Sequence, residues 1–362
     1  MREIPPTASA NQGPAILASP GFTDWLADIG CCLVLSTYQA GRIIFVGLRP
    51  DGTLRAHERI VEQCQGIWTD GQSIWASGKT MLWRFVNTLP KGMVTQSSAD
   101  RVFVPREARV TGRLDIHDIG LGRLADMAVP GPIFVNTLYS CLATISETAA
   151  FRPLWRPSFI SALVAEDRCH MNGLAMDGER PAYVTAISRS DLADGWRERR
   201  NDGGIVIDVT SGEIVTAGLS MPHSPRLQGG KLWVLNSGRG ELGFVDPKDG
   251  RFTAICFCPG YARGLAFVAG GRWAVVGLSR PRHNQTFEGL ELQDSLIAKD
   301  TQPRCGILVV DTLTGRSAHW LRFTHSIHEL YDVAIIQGAR QAEAISLKGE
   351  YLEGMIQPEG PP

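Results

Sequence analysis

A short pattern that returns six times constrains this chain more than any other feature. A polar residue is followed by a small residue and an aliphatic, then by a Gly-rich turn and a β-rich run. Three copies are Gln65-Gly66-Ile67-Trp68 leading to SIWAS, His117-Asp118-Ile119-Gly120 leading to PIFVNT, and Asn172-Gly173-Leu174-Ala175 leading to PAYVTA. Two more are Ser224-Pro225-Arg226-Leu227 leading to KLWVLNS and Arg263-Gly264-Leu265-Ala266 leading to RWAVVGLS. A weaker sixth, Tyr331-Asp332-Val333-Ala334, leads into Ala344-Ile345-Ser346-Leu347. The leading residues step by 52, 55, 52, 39 and 68 positions. A step of about 50 residues suits one four-stranded blade of a β-propeller. Each blade is a small twisted sheet that cannot bury both faces alone, so stacking the blades into a closed ring buries them.

The fold class read from this is all-β, a six-bladed β-propeller, with seven blades left open. The alternative weighed against it is a β-sandwich or a mixed fold without repeats. A doubly wound α/β fold is disfavoured, because the chain has no alternating amphipathic helices and no G-x-G-x-x-G after a strand. Residues 1–21 read as a partly irregular N-terminal extension, 22–350 as one propeller domain, and 351–362 as a C-terminal tail. The long step contains a polar insertion, 281–304, which is expected to hold a short helix and to lie over one face of the ring. Outer hairpin turns are expected at Asp51-Gly52, at Asp246-Pro247-Lys248-Asp249-Gly250 and at Thr312-Leu313-Thr314-Gly315.

Composition narrows the function classes. The chain is 44% hydrophobic, enough for a sizeable core, and its net charge of -1 gives no overall basic field for nucleic acid or an anionic membrane. No apolar run approaches the roughly 20 residues that span a bilayer. The N-terminal segment lacks the basic-then-apolar layout of a secretory signal. The 8 cysteines are scattered and form no paired CxxC of zinc spacing, which makes a cytoplasmic chain with reduced thiols the expectation.

In a propeller the leading strand of each blade lines the channel. Side chains alternate along it, so the leading residue and the one two before it share a direction. The leading set is Gln65, His117, Asn172, Ser224, Arg263 and Tyr331, and the set two before is Gln63, Asp115, His170, Pro222, Tyr261 and Glu329. All but Pro222 are polar or tyrosine, an alphabet unsuited to simple packing. His117, His170 and His223 come from three successive copies. His223 stands one residue out of that parity, and Pro222 and Pro225 suggest an irregular backbone that could still turn its ring inward. Three imidazoles converging from neighbouring blades would suit zinc or ferrous iron, with Glu329 or Asp115 as a further ligand or proton acceptor. A polar ligand pocket without metal and a purely structural hydrogen-bonded set are the other readings. His325 and His328 read as surface or hairpin residues, and His283 as solvated.

Arginines form a second theme. Arg226, Arg263 and Arg239, with Arg280 and Arg282, could rim one mouth and favour a carboxylate or phosphate. The competing role is to pair with Asp115, Asp118, Glu329 or Asp332 and tie blades together. Cys169, next to His170, should face the opposite way and belong to the core, as should Cys141. Tyr139 and Tyr331 could donate protons, or serve as hydrogen-bonded wall.

The segments STYQAGRIIFVG (36–47), LDIHDIG (114–120), RPSFISALVAEDRCHMNGLAM (156–176), MPHSPR with LWVLNSGRGELG (221–243) and PGYARGLAF (259–267) resemble one bacterial family of uncharacterised propellers, known as conserved hypothetical proteins. The resemblance runs from about Phe22 to Gln337. It implies the propeller fold and the importance of His117, His170, His223, Arg226 and Arg263, and no activity. A looser, fold-level similarity is to the three-histidine zinc propeller lyase of peptide amidation, and to propeller lactonases and strictosidine-synthase-like enzymes, for which Asn172 and Glu329 would be suitable.

Together these features lead to an expectation of a metal-dependent hydrolase, lyase or oxygen-dependent enzyme. Its zinc or iron would be held by His117, His170 and His223. Glu329, Asp115 and Tyr331 would be catalytic, and Arg226, Arg263, Asn172, Arg239 and Gln65 would bind a small or peptide-like substrate carrying an anionic group. The rival is a non-catalytic propeller that presents its rim to a protein or carbohydrate.

Overall fold

Each copy of the repeat supplies the innermost strand of an antiparallel sheet, and six sheets form the ring. The structure is a computed structural model that describes residues 14–280, 288–324, 326–356 and 358. Arg282, His283 and His325 lie outside the described residues, as do residues 281–287 of the insertion and 1–13 of the N-terminal extension. Blades 1 to 5 follow chain order and span residues 67–110, 116–155, 171–219, 222–257 and 261–323. Their innermost strands are Ile67–Thr69, Ile116–Gly122, Met171–Asp177, Pro222–Gln228 and Tyr261–Val268.

The sixth blade joins the two ends of the chain. Its innermost strand, Val333–Gln337, pairs with Cys31–Thr37, and Arg42–Leu48 and Leu54–Ile60 complete the sheet. The sixth copy of the repeat therefore does not continue into 344–347 as a blade of its own. Ala342–Ala344 instead adds a parallel edge strand to blade 1, beside Arg101–Val110. Main-chain hydrogen bonds between the two ends of the chain thereby close the ring. Ile16–Ala18, within the N-terminal extension, pairs with Ser317–Phe323 as a fifth strand of blade 5. Among the described residues no helix is long and apolar enough to cross a membrane.

Apolar residues collect where blades meet. Leu33, Leu35 and Ile44 of blade 6 pack with Val275 and Val309 of blade 5, and Ile133 and Val135 of blade 2 pack with Val184 and Ile207 of blade 3. Blade-on-blade burial of this kind is the main stabilising term for such a ring. The helix Glu291–Ala298 of the insertion sits over blades 3 to 5. It buries Leu292 and Leu296 in a cluster with Trp196, Met221 and Tyr261.

Near the axis the inner strands approach closely. A Cβ on Gly66 would stand 2.9 Å from the Asp118 backbone, and one on Gly264 would stand 2.6 Å from Val333 N. Gly264 also has φ +76°, a region costly for L-residues. Strain and overpacking together give G264A an expected loss of roughly 2–3 kcal/mol. Urea unfolding checks this, and an unchanged midpoint would contradict the crowding of inner strands.

One guanidinium sits at this crowded centre. Arg226, from blade 4, places Nη1 2.8 Å from Asp118 Oδ2 of blade 2, and Nη2 3.7 Å from Asp332 Oδ1 beside blade 6. It also donates from Nη1 to Leu174 O of blade 3 and from Nε to Leu265 O of blade 5. The two carboxylates accept backbone N–H groups in turn: Asp118 from Leu174 and Ile119, Asp332 from Ile67 of blade 1 and from Val333. All six blades are thus linked through three side chains on the axis. Burial, followed by the charge of Asp118, pushes the Asp332 carboxyl up from 3.8 to about 7, against the pull of Arg226.

Candidate functional site

Strands of a propeller begin at one face, and the residues just ahead of the innermost strands gather there. Ahead of four of these strands a residue other than glycine is left-handed: Asp115 (φ 58°), His170 (φ 49°) and Met221 (φ 46°) directly before the strand, and Gln63 (φ 50°) shortly before Ile67. Such conformations are sparsely populated for these residue types and collect at functional sites. Here they turn the side chains of Asp115 and His170 into the mouth before the regular strand starts.

The imidazoles of His117 and His170 meet edge to face with ring centroids 4.9 Å apart, and His117 meets Tyr331 at 5.2 Å. His223 meets Tyr261 at 5.6 Å. The Arg263 guanidinium bridges the set, its Cζ 5.1 Å from the Tyr261 ring and 4.7 Å from the Tyr331 ring. Trp196 lies on His170 at 4.2 Å.

The hydrogen bonds fix the tautomers. His117 Nδ1 is 2.9 Å from Asp115 O, His223 Nδ1 is 2.9 Å from Met221 O, and His170 Nδ1 is 2.7 Å from Asp167 Oδ2. Carbonyl and carboxylate oxygens accept, so each Nδ1 carries the proton and each Nε2 presents a lone pair in the neutral ring. The three environments then diverge. Burial holds His117 down to about 4, despite the opposing charge of Asp115, and burial followed by the charge of Arg263 holds His223 well below 6.5. The His223 Nε2 accepts from Asn172 Nδ2 at 3.2 Å, and Thr185 Oγ1 donates to Asn172 Oδ1 at 2.7 Å, which sets the orientation of that amide. His170 is backed by Asp167, whose Oδ2 also accepts from Trp196 Nε1 at 2.9 Å. An imidazole held at Nδ1 by a carboxylate, with Nε2 left to accept a proton, is an arrangement that suits a general base.

Buried polar atoms of this region without a hydrogen-bond partner among the described residues include Tyr331 Oη and Asp167 Oδ1. Leaving such an atom unpaired costs about 1–3 kcal/mol. Burial also pushes the Tyr331 hydroxyl well above 10, so it is a proton-bearing donor at any physiological pH. The mouth can therefore donate from a neutral phenol, accept at imidazole nitrogens and pair an anion with Arg263. Among the described residues no group of three or more His, Cys, Asp and Glu is arranged to hold a metal ion.

The family matched over residues 20–345 is described as a domain of unknown function, DUF4915. This chain belongs to that family. No curated protein matches it. A chain from the crystal structure of a nidogen/laminin complex is similar to this DUF4915 propeller at TM-score 0.52 and 12% identity, covering 85% of this chain and 99% of that one. That likeness concerns the fold alone. A protein of unknown function from Bacteroides caccae aligns at TM-score 0.47 and 10% identity, over 85% of this chain and 99% of that one.

The other residues singled out in the DUF4915 sequence fall into separate places. Asp115 stands at the mouth, where Gln65 Nε2 donates to its Oδ1 at 2.7 Å. Burial raises its pKa, and His117, Gln65 and His170 outweigh burial, so the net direction is below 3.8. Glu329 accepts Tyr38 N and Gln39 N at 2.8 Å each and anchors that turn. Arg226 lies on the axis with Asp118 and Asp332 instead of at the rim, because two buried carboxylates hold its fork there. Arg239 pairs with Glu291 of the insertion helix at 3.1 Å, outside the histidine cluster. Arg280 and His328 are exposed, and Tyr139 packs against Phe151 with tilted rings, centroids 4.9 Å apart. Cys169 and Cys141 are buried, and burial pushes both thiols up to about 12. Sequence reading passed over Asp167 and Trp196, which come from loops outside the repeat. The spacing of Asp167 and His170, three residues apart, was the available signal for the first; Trp196 had none.

Proposed function

We propose that the mouth of this DUF4915 propeller binds a small molecule with an anionic group and acts on it by proton transfer, with His170 as base and Tyr331 as donor. The observation that carries the reading is the buried, unpartnered hydroxyl of Tyr331, whose ring meets the His117 ring and the Arg263 guanidinium. A ligand oxygen at this point would satisfy it, and Arg263 would supply the balancing charge. Asp167 holds the His170 ring through Nδ1, which leaves Nε2 as the nitrogen that would take a proton, and the ring lies against His117, itself in contact with Tyr331. The free thiols of all eight cysteines support a reducing, cytoplasmic setting.

A metal is the second reading, favoured by the three Nδ1-bonded imidazoles, each with Nε2 as the remaining ligand atom. It requires Asn172 to release His223. The acid–base reading requires no such rearrangement, so we prefer it.

A thermal-shift panel of small carboxylates and inorganic phosphate tests the binding half. At least one compound is expected to stabilise the protein saturably, with Kd raised roughly 10- to 100-fold in R263Q. Uniform failure of the panel, or equal binding by R263Q, would overturn it. Solvent deuterium incorporation into the bound compound tests the catalytic half: it should occur with the wild-type protein and vanish in H170A. Stoichiometric zinc or iron in the purified protein, lost in H170A, would replace this reading with the metal one.

A further inference from the structure

The face opposite the histidine mouth carries a cleft between blades 1 and 2, formed where their innermost strands end. Its volume is about 400 Å³, within the range of small-molecule sites. Antiparallel pairing sets Trp68 opposite Trp75 and Trp75 opposite Arg84, so two indoles and a guanidinium share one face of blade 1 in a cross-strand ladder. Blade 2 supplies the facing apolar wall through Leu121, Met127 and Ile145.

The charges in the cleft are unequal. Arg84 is half-buried, its Cζ 5.9 Å from the Trp75 ring, and it has no hydrogen bond or ion pair among the described residues. Its cross-strand neighbour Glu107 is engaged by Arg109 at 2.7 Å. Arg152 is balanced by Asp126 at 2.8 Å, and Asp70 at the rim is turned onto the amides of Gln72 and Ser73. Among the described residues Arg84 is therefore the lining cation without a hydrogen bond or ion pair, and it stands above an aromatic platform that faces an apolar wall.

We infer that this cleft is a second binding site, for a planar aromatic molecule bearing a single carboxylate. The ring would lie between the indoles and the wall from blade 2, and the carboxylate would take the guanidinium fork of Arg84. A single unpaired cation suits a monoanion better than a phosphate dianion. Apolar walls suit an aryl ring better than a sugar, which would need more hydrogen-bonding groups.

Calorimetry with indole-3-acetate as the probe tests this, with indole-3-acetamide as its uncharged counterpart. One equivalent of indole-3-acetate should bind saturably, and the acetamide should bind about tenfold more weakly or worse. R84Q should lose the preference for the acid, and W68A should weaken both compounds. Among the described residues Arg84 holds no polar partner, so R84Q should keep its melting temperature, which serves as the folding control. Absence of saturable binding up to millimolar probe would overturn the assignment. So would binding that persists in R84Q and disappears in H170A, which would place the acid at the mouth. The site is independent of the proposed proton transfer, and H170A should leave it intact.

Discussion

Replacing Arg226 with methionine is expected to destabilise the propeller by about 3–5 kcal/mol, the usual cost of removing one partner from a buried charged set. Asp118 and Asp332 would remain buried at the axis, with side-chain exposures of 4% each and no cation between them. The lost hydrogen bonds to Leu174 O and Leu265 O would add to the cost. Combining R226M with D118N and D332N should recover a large part of the loss, because the repulsion disappears with the charges. Urea unfolding of the single and triple variants measures both effects. A single variant within about 1 kcal/mol of wild type would show that the hub does not link the blades.

The same hub is expected to make stability depend on pH in an unusual direction. The Asp332 carboxyl is raised from 3.8 to about 7, chiefly by burial and then by Asp118. Its contribution to stability is fully present below the unfolded value, because the native state then carries no penalised charge. It is lost as pH rises through about 7, where the native state must ionise the group. A shift of this size corresponds to at most about 4 kcal/mol. Measured as the difference between wild type and D332N, stability should therefore decline from about pH 4 to about pH 7 and level off above that. D332N loses one acceptor for the amides of Ile67 and Val333, an offset of about 1 kcal/mol that does not vary with pH. Parallel pH profiles for the two proteins would remove the raised carboxyl from the hub.

Much of the ring was legible because a propeller repeats its constraints. The glycine in second place of three leading motifs marks the crowded axis, as Gly66 against Asp118 demonstrates, and the β-rich runs 73–77, 132–137, 181–186, 231–237 and 272–279 coincide with second strands. The closing blade was not legible, because its pairing joins residues about 300 positions apart and local pattern carries no information on such a partner. The position of Arg226 was ambiguous for a related reason. Strand parity gives its direction but not its depth, and only the partners Asp118 and Asp332 locate it on the axis. At the mouth, parity brought forward Asp115 and His170, whose left-handed backbones no alternation rule anticipates. Asp167 and Trp196 escaped because a repeat alignment weighs shared positions, whereas these two belong to loops found in one blade.

Histidine-selective NMR of the full chain, during titration with the carboxylate that best stabilises it, tests most directly whether the mouth is one ligand site. The ring signals of His117, His170 and His223 should move together and saturate at one equivalent, while those of His57, His319 and His328 stay in place. Saturable binding that leaves all three mouth rings unmoved would contradict a shared anionic site at the start of the inner strands.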